Sequence, residues 1–309
     1  MKKHLIPQTD LEVSQFCFGA GGLGTSVKGE HTDQLIIAFM NGGGNFFDTA
    51  HCYAFWKPNG LGASEKELGD SLRRLGVWDQ AIIATKGGHP DGGPSYQRPG
   101  DFLSESIINS DIDDSLNRLQ TNCLDLYYLH RDDGVTPVAD IIEILNRQIS
   151  KGRLRFIGAS NWSVNRMKAA NEYAQKRSLK GFVISQVQWS LSEPDWAVTS
   201  DPTMRHVGKE EIEWHLQTKI PIAAYSATGN GFFSKTCTST NTLNRKRWDI
   251  VNKISKKIGK TPTQVALAWL LQQKPTVLPV FSTTNMNHLE EIIHTDQVEL
   301  SKEMIEELR

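Results

Sequence analysis

The chain has 309 residues, long for an ordinary domain but within the range of barrels built from alternating strands and helices, so one domain over residues 1–309 is expected. Its 34 Lys and Arg nearly balance 35 Asp and Glu, and no basic stretch is dense enough to track phosphates, which argues against a nucleic-acid partner. No apolar run approaches the ~20 residues needed to span a bilayer, residues 1–9 lack an apolar segment, and the four cysteines stand singly, which together predict a cytoplasmic protein with no membrane partner.

In chain order, short apolar β-rich runs predict strands at 16–19, 45–49, 81–86, 124–130, 156–160, 183–188, 221–225 and 277–281. Stretches of helical period alternate with them at 33–41, 64–75, 104–119, 138–150, 164–176, 209–217, 243–269 and 288–294. Eight strand-helix pairs predict an α/β fold closed into a (β/α)8 TIM barrel rather than an open sheet. Ser104 before Glu105 reads as a helix start, and Thr261 caps a helix with Pro262 at its first position. The irregular stretches 87–103, 191–206 and 226–242 follow the third, sixth and seventh strands, where a barrel builds its active-site rim.

Four polar residues stand at or just beyond carboxyl ends of these strands. Asp48 ends the second, Tyr53 follows five residues later, Lys86 ends the third and His130 the fourth. Buried polar groups are costly unless paired, so their convergence on one mouth implies a use. A Lys beside a Tyr favours phenolate, an Asp fixes the Lys, and a His orients a carbonyl or shares the phenol's proton. Alone, each has a plainer reading as turn, packing or solvated side chain; their order on consecutive strands is what points to acid-base chemistry.

On these and further segments the chain resembles the aldo-keto reductase family, including its bacterial sugar and polyol members. The matching runs are Asn45 to Ala50 with Tyr53, Gly62 to Glu65, Ala84 to Lys86, Asp125 to His130, Gly158 to Asn161, Ser185 to Gln188 and Ala224 to Ser226. The resemblance places the family's catalytic tetrad on Asp48, Tyr53, Lys86 and His130, and implies an NAD(P)(H)-dependent enzyme that interconverts a carbonyl and an alcohol. It also implies that Ser160, Asn161 and Gln186 hold the nicotinamide carboxamide, that Tyr225 stacks on the ring, and that Ser226, Thr228 and Gly231 wrap the pyrophosphate. No Gly-rich dinucleotide fingerprint follows the first strand, where Gly21, Gly22 and Gly24 read as a flexible loop.

At the adenosine end the matching run is Ser282, Thr283, Thr284 and Asn285, with His288 where some members carry Arg. No Lys or Arg lies between Pro279 and His288, which shifts the expected preference slightly from NADP to NAD, with Lys235 the nearest alternative cation. Gly21 stands about where some members place an aromatic, and the chain ends at Arg309 soon after the eighth helix, so specificity is expected from the earlier loops. These offer Trp56, His89, Trp162 and Trp196, with Arg131 and Asp132 after the catalytic His. Such flat faces among charged groups suit a sugar or cyclitol and a role in carbohydrate metabolism; the plainer reading pairs Arg131 with Asp132 as a rim ion pair. Cys52 has no activating partner visible in the sequence and reads as inert packing.

Two other functions use the same residues. His51, Asp48, His130 and Asp132 can be drawn as the metal site of a hydrolase, though this leaves Tyr53, Lys86, Ser160, Asn161 and Gln186 unused, and no metal is expected. A nicotinamide-binding regulatory module without turnover is the other, since fold does not dictate function.

Overall fold

The computed structural model describes residues 1–194, 201 and 203–309. It begins with a feature the sequence reading lacks, an antiparallel hairpin of Lys3–Leu5 (β1) and Glu12–Ser14 (β2). Three-residue strands are too short to show a period of two. The hairpin buries Ile6, Leu11 and Val13 against the barrel-interior residues Cys17, Phe46, Leu126 and Leu278. The Ser14 N–H donates to Asn45 Oδ1 at 2.7 Å, just before a barrel strand begins, so the hairpin plugs the amino-terminal end of the barrel.

Eight parallel strands then close on themselves: Cys17–Gly19 (β3), Phe46–Asp48 (β4), Ile82–Gly87 (β5), Leu124–Leu129 (β6), Leu154–Ser160 (β7), Phe182–Gln188 (β8), Ile222–Tyr225 (β9) and Val277–Phe281 (β10). β10 pairs with both β9 and β3, which removes any free edge. Side chains alternate across each strand. Along β6, Leu126 and Tyr128 join the interior cluster while Tyr127 and Leu129 join the layer between strands and helices.

That outer layer is packed by Glu30–Asn41 (α1), Ala63–Arg74 (α2), Glu105–Leu119 (α3), Val138–Ser150 (α4), Val164–Lys176 (α5), Lys209–Thr218 (α6), Thr242–Ile258 (α7), Pro262–Leu271 (α8) and Met286–Ile293 (α9). Phe39 of α1 meets Phe18, Phe47 and Phe281 from three strands, with centroids in this cluster 5.4 to 6.0 Å apart. Aromatic edges on faces are favoured at this spacing and lock α1 onto the barrel wall.

The helix expected over 243–269 is two helices. Gly259 takes a left-handed φ of 64°, which ends α7, and Thr261 opens α8 through a reciprocal capping box with Gln264 and with Pro262 in the first turn. Ser104 occupies the cap position of α3 but makes no side-chain capping bond there. A last short helix, Lys302–Glu307 (α10), is capped by Ser301 and is also absent from the sequence reading. No helix among the described residues is long and apolar enough to cross a membrane.

Strand register sets the mouth. Gly19 lies beside Asp48, Asp48 beside Ala84, Gly87 beside Leu129, Leu129 beside Ala159, and Ser160 beside Gln186. Residues ending β4, β5, β7 and β8, and His130 just past β6, therefore share one rim.

Candidate active site

Lys86 is fully buried, and its ammonium is saturated: Nζ donates to Asp48 Oδ2 at 2.6 Å, to the Thr49 carbonyl at 2.8 Å and to Tyr53 Oη at 2.8 Å. Three donors meet three acceptors, the arrangement a buried ammonium needs. Asp48 Oδ1 accepts from Gln186 Nε2 at 2.8 Å, so both carboxylate oxygens are engaged. Tyr53 reaches this centre from a run of tight turns in which its N–H donates to the Ala50 carbonyl at 3.1 Å. The next residue, Ala54, holds a left-handed φ of 70°, a conformation that costs an L-residue about 1 kcal/mol or more and turns the chain sharply behind the phenol.

Burial of the phenol pushes the Tyr53 pKa well above the ordinary tyrosine range, and the Asp48 carboxylate adds to the effect. Lys86 donates to the same oxygen, so the ammonium stands where a phenolate would form. His130 lies with its ring centroid 5.8 Å from that of Tyr53 in an edge-to-face arrangement. Burial, followed by the charge of Arg131, holds its pKa well below the ordinary imidazole range, so it is neutral. Its Nδ1 is 3.4 Å from Cys52 Sγ. Burial pushes the Cys52 thiol up to about 12, so the sulfur keeps its proton and can donate it to Nδ1. A donor at Nδ1 corresponds to the tautomer with the His130 proton on Nε2.

A second layer fastens the turn that carries Tyr53. The buried His51 ring contacts Asp114 Oδ2 at 2.9 Å, Tyr96 Oη at 3.1 Å and Arg98 at 3.0 Å. Arg98 also pairs with Asp111, which accepts the Gly88 N–H at 2.8 Å. The loop after β5 is thereby tied to the Tyr53 turn and to α3. Thr49 Oγ1 meets Ser64 Oγ at 2.8 Å, and Ser64 Oγ donates to the Ala20 carbonyl at 2.7 Å.

Beside the tetrad runs a cavity of about 570 Å³. Among the residues expected at a cofactor, Tyr225, Ser226, Thr228, Gly231, Ser282, Thr283 and His288 line it. Left-handed φ angles at Ser226, Gly229, Asn230 and Gly231 coil the loop after β9. A chain so coiled, with little side-chain bulk, lets backbone N–H groups approach an anion. Ser160, Asn161 and Gln186 are buried at the rim; Asn161 Nδ2 donates to Ser160 Oγ at 3.0 Å, and Asn161 Oδ1 accepts from Tyr225 Oη at 2.9 Å. Asn285 Oδ1 caps α9, accepting from the N–H groups of Asn287 and His288, and Thr284 stands beside Thr283 without lining the cavity.

The substrate candidates separate more sharply. Trp56 is 56% exposed and lines the cavity, and the His89 ring lies 4.8 Å from that of His130. Trp162 is only 2% exposed: it packs edge-on against Phe182 and its Nε1 donates to the Arg131 carbonyl, so it is core rather than substrate surface. Arg131 is buried and donates to the His130 carbonyl at 2.9 Å and to Thr203 Oγ1 at 2.9 Å. Asp132 pairs with Arg166 at 2.9 Å, not with Arg131, whose carboxylate partner is Asp201. The rim ion pair between Arg131 and Asp132 is therefore not formed, and each is tethered to another partner. Trp196 lies outside the described residues. The hydrolase-type metal set also comes apart, because Asp48 is taken by Lys86, His51 by Asp114 and Asp132 by Arg166.

A closed eightfold barrel with Tyr, Lys, Asp and His at its carboxyl-end mouth and a long cavity beside them defines a class of barrel proteins, and the comparisons with known proteins name it. The model of the Aldo/keto reductase family matches residues 15–309, and the chain belongs to that family. It is 28% identical to the uncharacterized oxidoreductase YrpG of Bacillus subtilis (strain 168), over 99% of this chain and 94% of that protein. It is 26% identical to an aryl-alcohol dehydrogenase [NADP(+)] of Phanerodontia chrysosporium, over 98% and 84% respectively. In fold it is similar to the thermostable aldo-keto reductase Tm1743, solved with the inhibitor epalrestat, with a TM-score of 0.76 at 22% identity over 100% of this chain and 98% of that one. The family is one of oxidoreductases acting on carbonyl and alcohol groups.

Proposed function

We propose that the protein reduces a carbonyl, or oxidises the matching alcohol, with Tyr53 as the general acid and base. The observation that carries this reading is the Lys86 ammonium held 2.8 Å from the Tyr53 oxygen by a carboxylate and a carbonyl. When bound in the cavity, a nicotinamide supplies or accepts the hydride. Tyr53 Oη donates its proton to the carbonyl oxygen during reduction. Lys86 then stabilises the phenolate left behind, an ion that burial alone strongly disfavours. Neutral His130 donates through Nε2 to the same oxygen and orients it.

For the cofactor, we favour NAD over NADP. Lys235 is the single Lys or Arg among the described residues lining the cavity, and its Nζ already donates to the Asn230 carbonyl at 2.9 Å. Glu291 lines the same cavity near Thr283 and His288, where a carboxylate opposes a 2′-phosphate and can accept from a ribose hydroxyl. A cytoplasmic setting fits four unpaired cysteines.

For the substrate, the groups expected to bind a sugar or cyclitol are largely withdrawn, since Arg131, Asp132 and Trp162 are engaged elsewhere. What lines the opening is aromatic: Tyr53, Trp56 and Tyr225 stand on the cavity wall, and Trp56 is exposed. We therefore place an aryl carbonyl first. The polyol reading keeps one support, the flat exposed face of Trp56. Separate titration of NADH and NADPH by fluorescence, followed by a screen of aryl aldehydes, ketones, sugars and cyclitols with whichever binds, tests both choices. Tighter NADPH binding overturns the cofactor reading, and turnover confined to sugars overturns the aryl one.

A further inference from the structure

Next to the tetrad lies a cluster whose three side chains the proton chemistry does not need together. Cys52 sits on the turn beside Tyr53, His89 follows β5 and His130 follows β6, so three neighbouring strand ends bring them to one spot. Each offers one ligand-capable atom, and the three atoms lie within 4.8 Å of one another. Cys52 Sγ and His130 Nδ1 are 3.4 Å apart. A tetrahedral zinc ion, with a sulfur bond of about 2.3 Å and nitrogen bonds of about 2.0 Å, spaces such a pair by about 3.5 Å.

Further features prepare the cluster. His89 Nδ1 lies 2.8 Å from the Pro90 carbonyl and donates to it, leaving Nε2 as the nitrogen with a free lone pair. A backbone carbonyl behind a ring nitrogen is the outer-shell arrangement that orients metal-binding histidines. Both imidazoles are neutral at pH 7: burial brings His89 to about 4 and holds His130 well below its usual range. The widest ligand spacing, at most 4.8 Å, exceeds a tetrahedral edge by up to about 1.3 Å, a closure that half-buried His89 can supply from its loop.

We propose that Cys52, His89 and His130 form a binding site for one borderline divalent cation such as Zn²⁺, with the fourth coordination position open to water. On binding, the Cys52 S–H loses its proton to solvent and a metal–sulfur bond forms. The two imidazole lone pairs replace waters of the hydrated ion, and no electron is transferred. Thiolate with two imidazoles suits zinc and cobalt over magnesium or calcium, which prefer oxygen. An ion on Nδ1 leaves the Nε2 proton of His130 in place, so the site stands independently of the proposed oxidoreductase reading.

Cobalt(II) titrated into the metal-free full-length protein, under a non-thiol reductant, tests the site directly. The expected result is one ion per chain, a near-ultraviolet thiolate-to-cobalt absorption band and release of one proton per ion. Cys52→Ser loses the band, and His89→Gln weakens binding by at least about tenfold. Absence of the band in the unaltered protein, or its survival in Cys52→Ser, overturns the proposal. Should Cys52→Ser fail to fold by circular dichroism, His89→Gln decides, and unaltered affinity there overturns it.

Discussion

Lys86 and Tyr53, 33 positions apart in the chain, meet with Nζ 2.8 Å from the phenol oxygen and 4.5 Å from the ring centroid. The ammonium thus touches the phenol at the atom that loses the proton and also lies against its face. Burial and the Asp48 carboxylate raise the Tyr53 pKa, and the ammonium is already in place when the proton leaves.

Tyr53→Phe removes the proton donor while leaving the cavity wall intact. Turnover is expected to fall by about 10²- to 10⁴-fold, with cofactor affinity unchanged within a few-fold. Steady-state kinetics and fluorescence titration measure the two quantities, and near-normal turnover would sink the mechanism.

Lys86→Met leaves Asp48 as a buried carboxylate without its cation. Removing one partner of such a pair costs about 3–5 kcal/mol. Adding Asp48→Asn to the same chain should restore much of the loss, because no buried charge is then stranded. Urea denaturation of the single and double variants distinguishes a paired charge from simple packing; equal stability of the two would contradict it.

Trp162→Ala is expected to destabilise by about 3–5 kcal/mol, the cost of emptying a large buried site. KM for any substrate should move little in the fraction that remains folded. A large KM change without loss of thermal stability would return Trp162 to the substrate surface.

The histidines give a pH dependence of defined sign. Burial depresses His89 and His215 to about 4 in the fold, against an unfolded value near about 6.5. Below the unfolded pKa the unfolded chain binds these protons and the fold does not. Stability is therefore complete above about pH 6.5 and falls as pH drops toward about 4. Denaturation midpoints measured across that window should decline, and His89→Gln should flatten the decline.

Thr283→Arg places a fixed cation on the cavity wall at the proposed adenosine end. It should raise affinity for NADPH relative to NADH by about tenfold through charge-assisted hydrogen bonds. Parallel titrations with both cofactors read this ratio, and no change would move the adenosine end elsewhere.

Much of the architecture is legible in the chain because it depends on local periodicity. Strands buried on both faces appear as short apolar runs, and helices on the outer wall need only one apolar stripe. The exceptions have equally local causes: β1 and β2 are too short to show alternation, and Gly259 interrupts a helical pattern that otherwise runs through. The meeting of these residues at one rim is legible for a related reason. Asp48, Lys86 and His130 mark the ends of successive strands, so their positions along the chain carry their positions on the rim.

The remaining roles depended on where side chains turn once the barrel closes. Arg131, Asp132 and Trp162 adjoin rim residues in sequence, yet each is satisfied inward, because a buried polar group takes the partner that spares it desolvation. Cys52 acquires His130 as a neighbour only when the β4 turn and the end of β6 come together, 78 residues apart. Pattern and order along the chain are enough to set the barrel and to bring Asp48, Tyr53, Lys86 and His130 to one mouth; which polar groups face the cavity and which turn inward depends on burial, and so on the closed barrel.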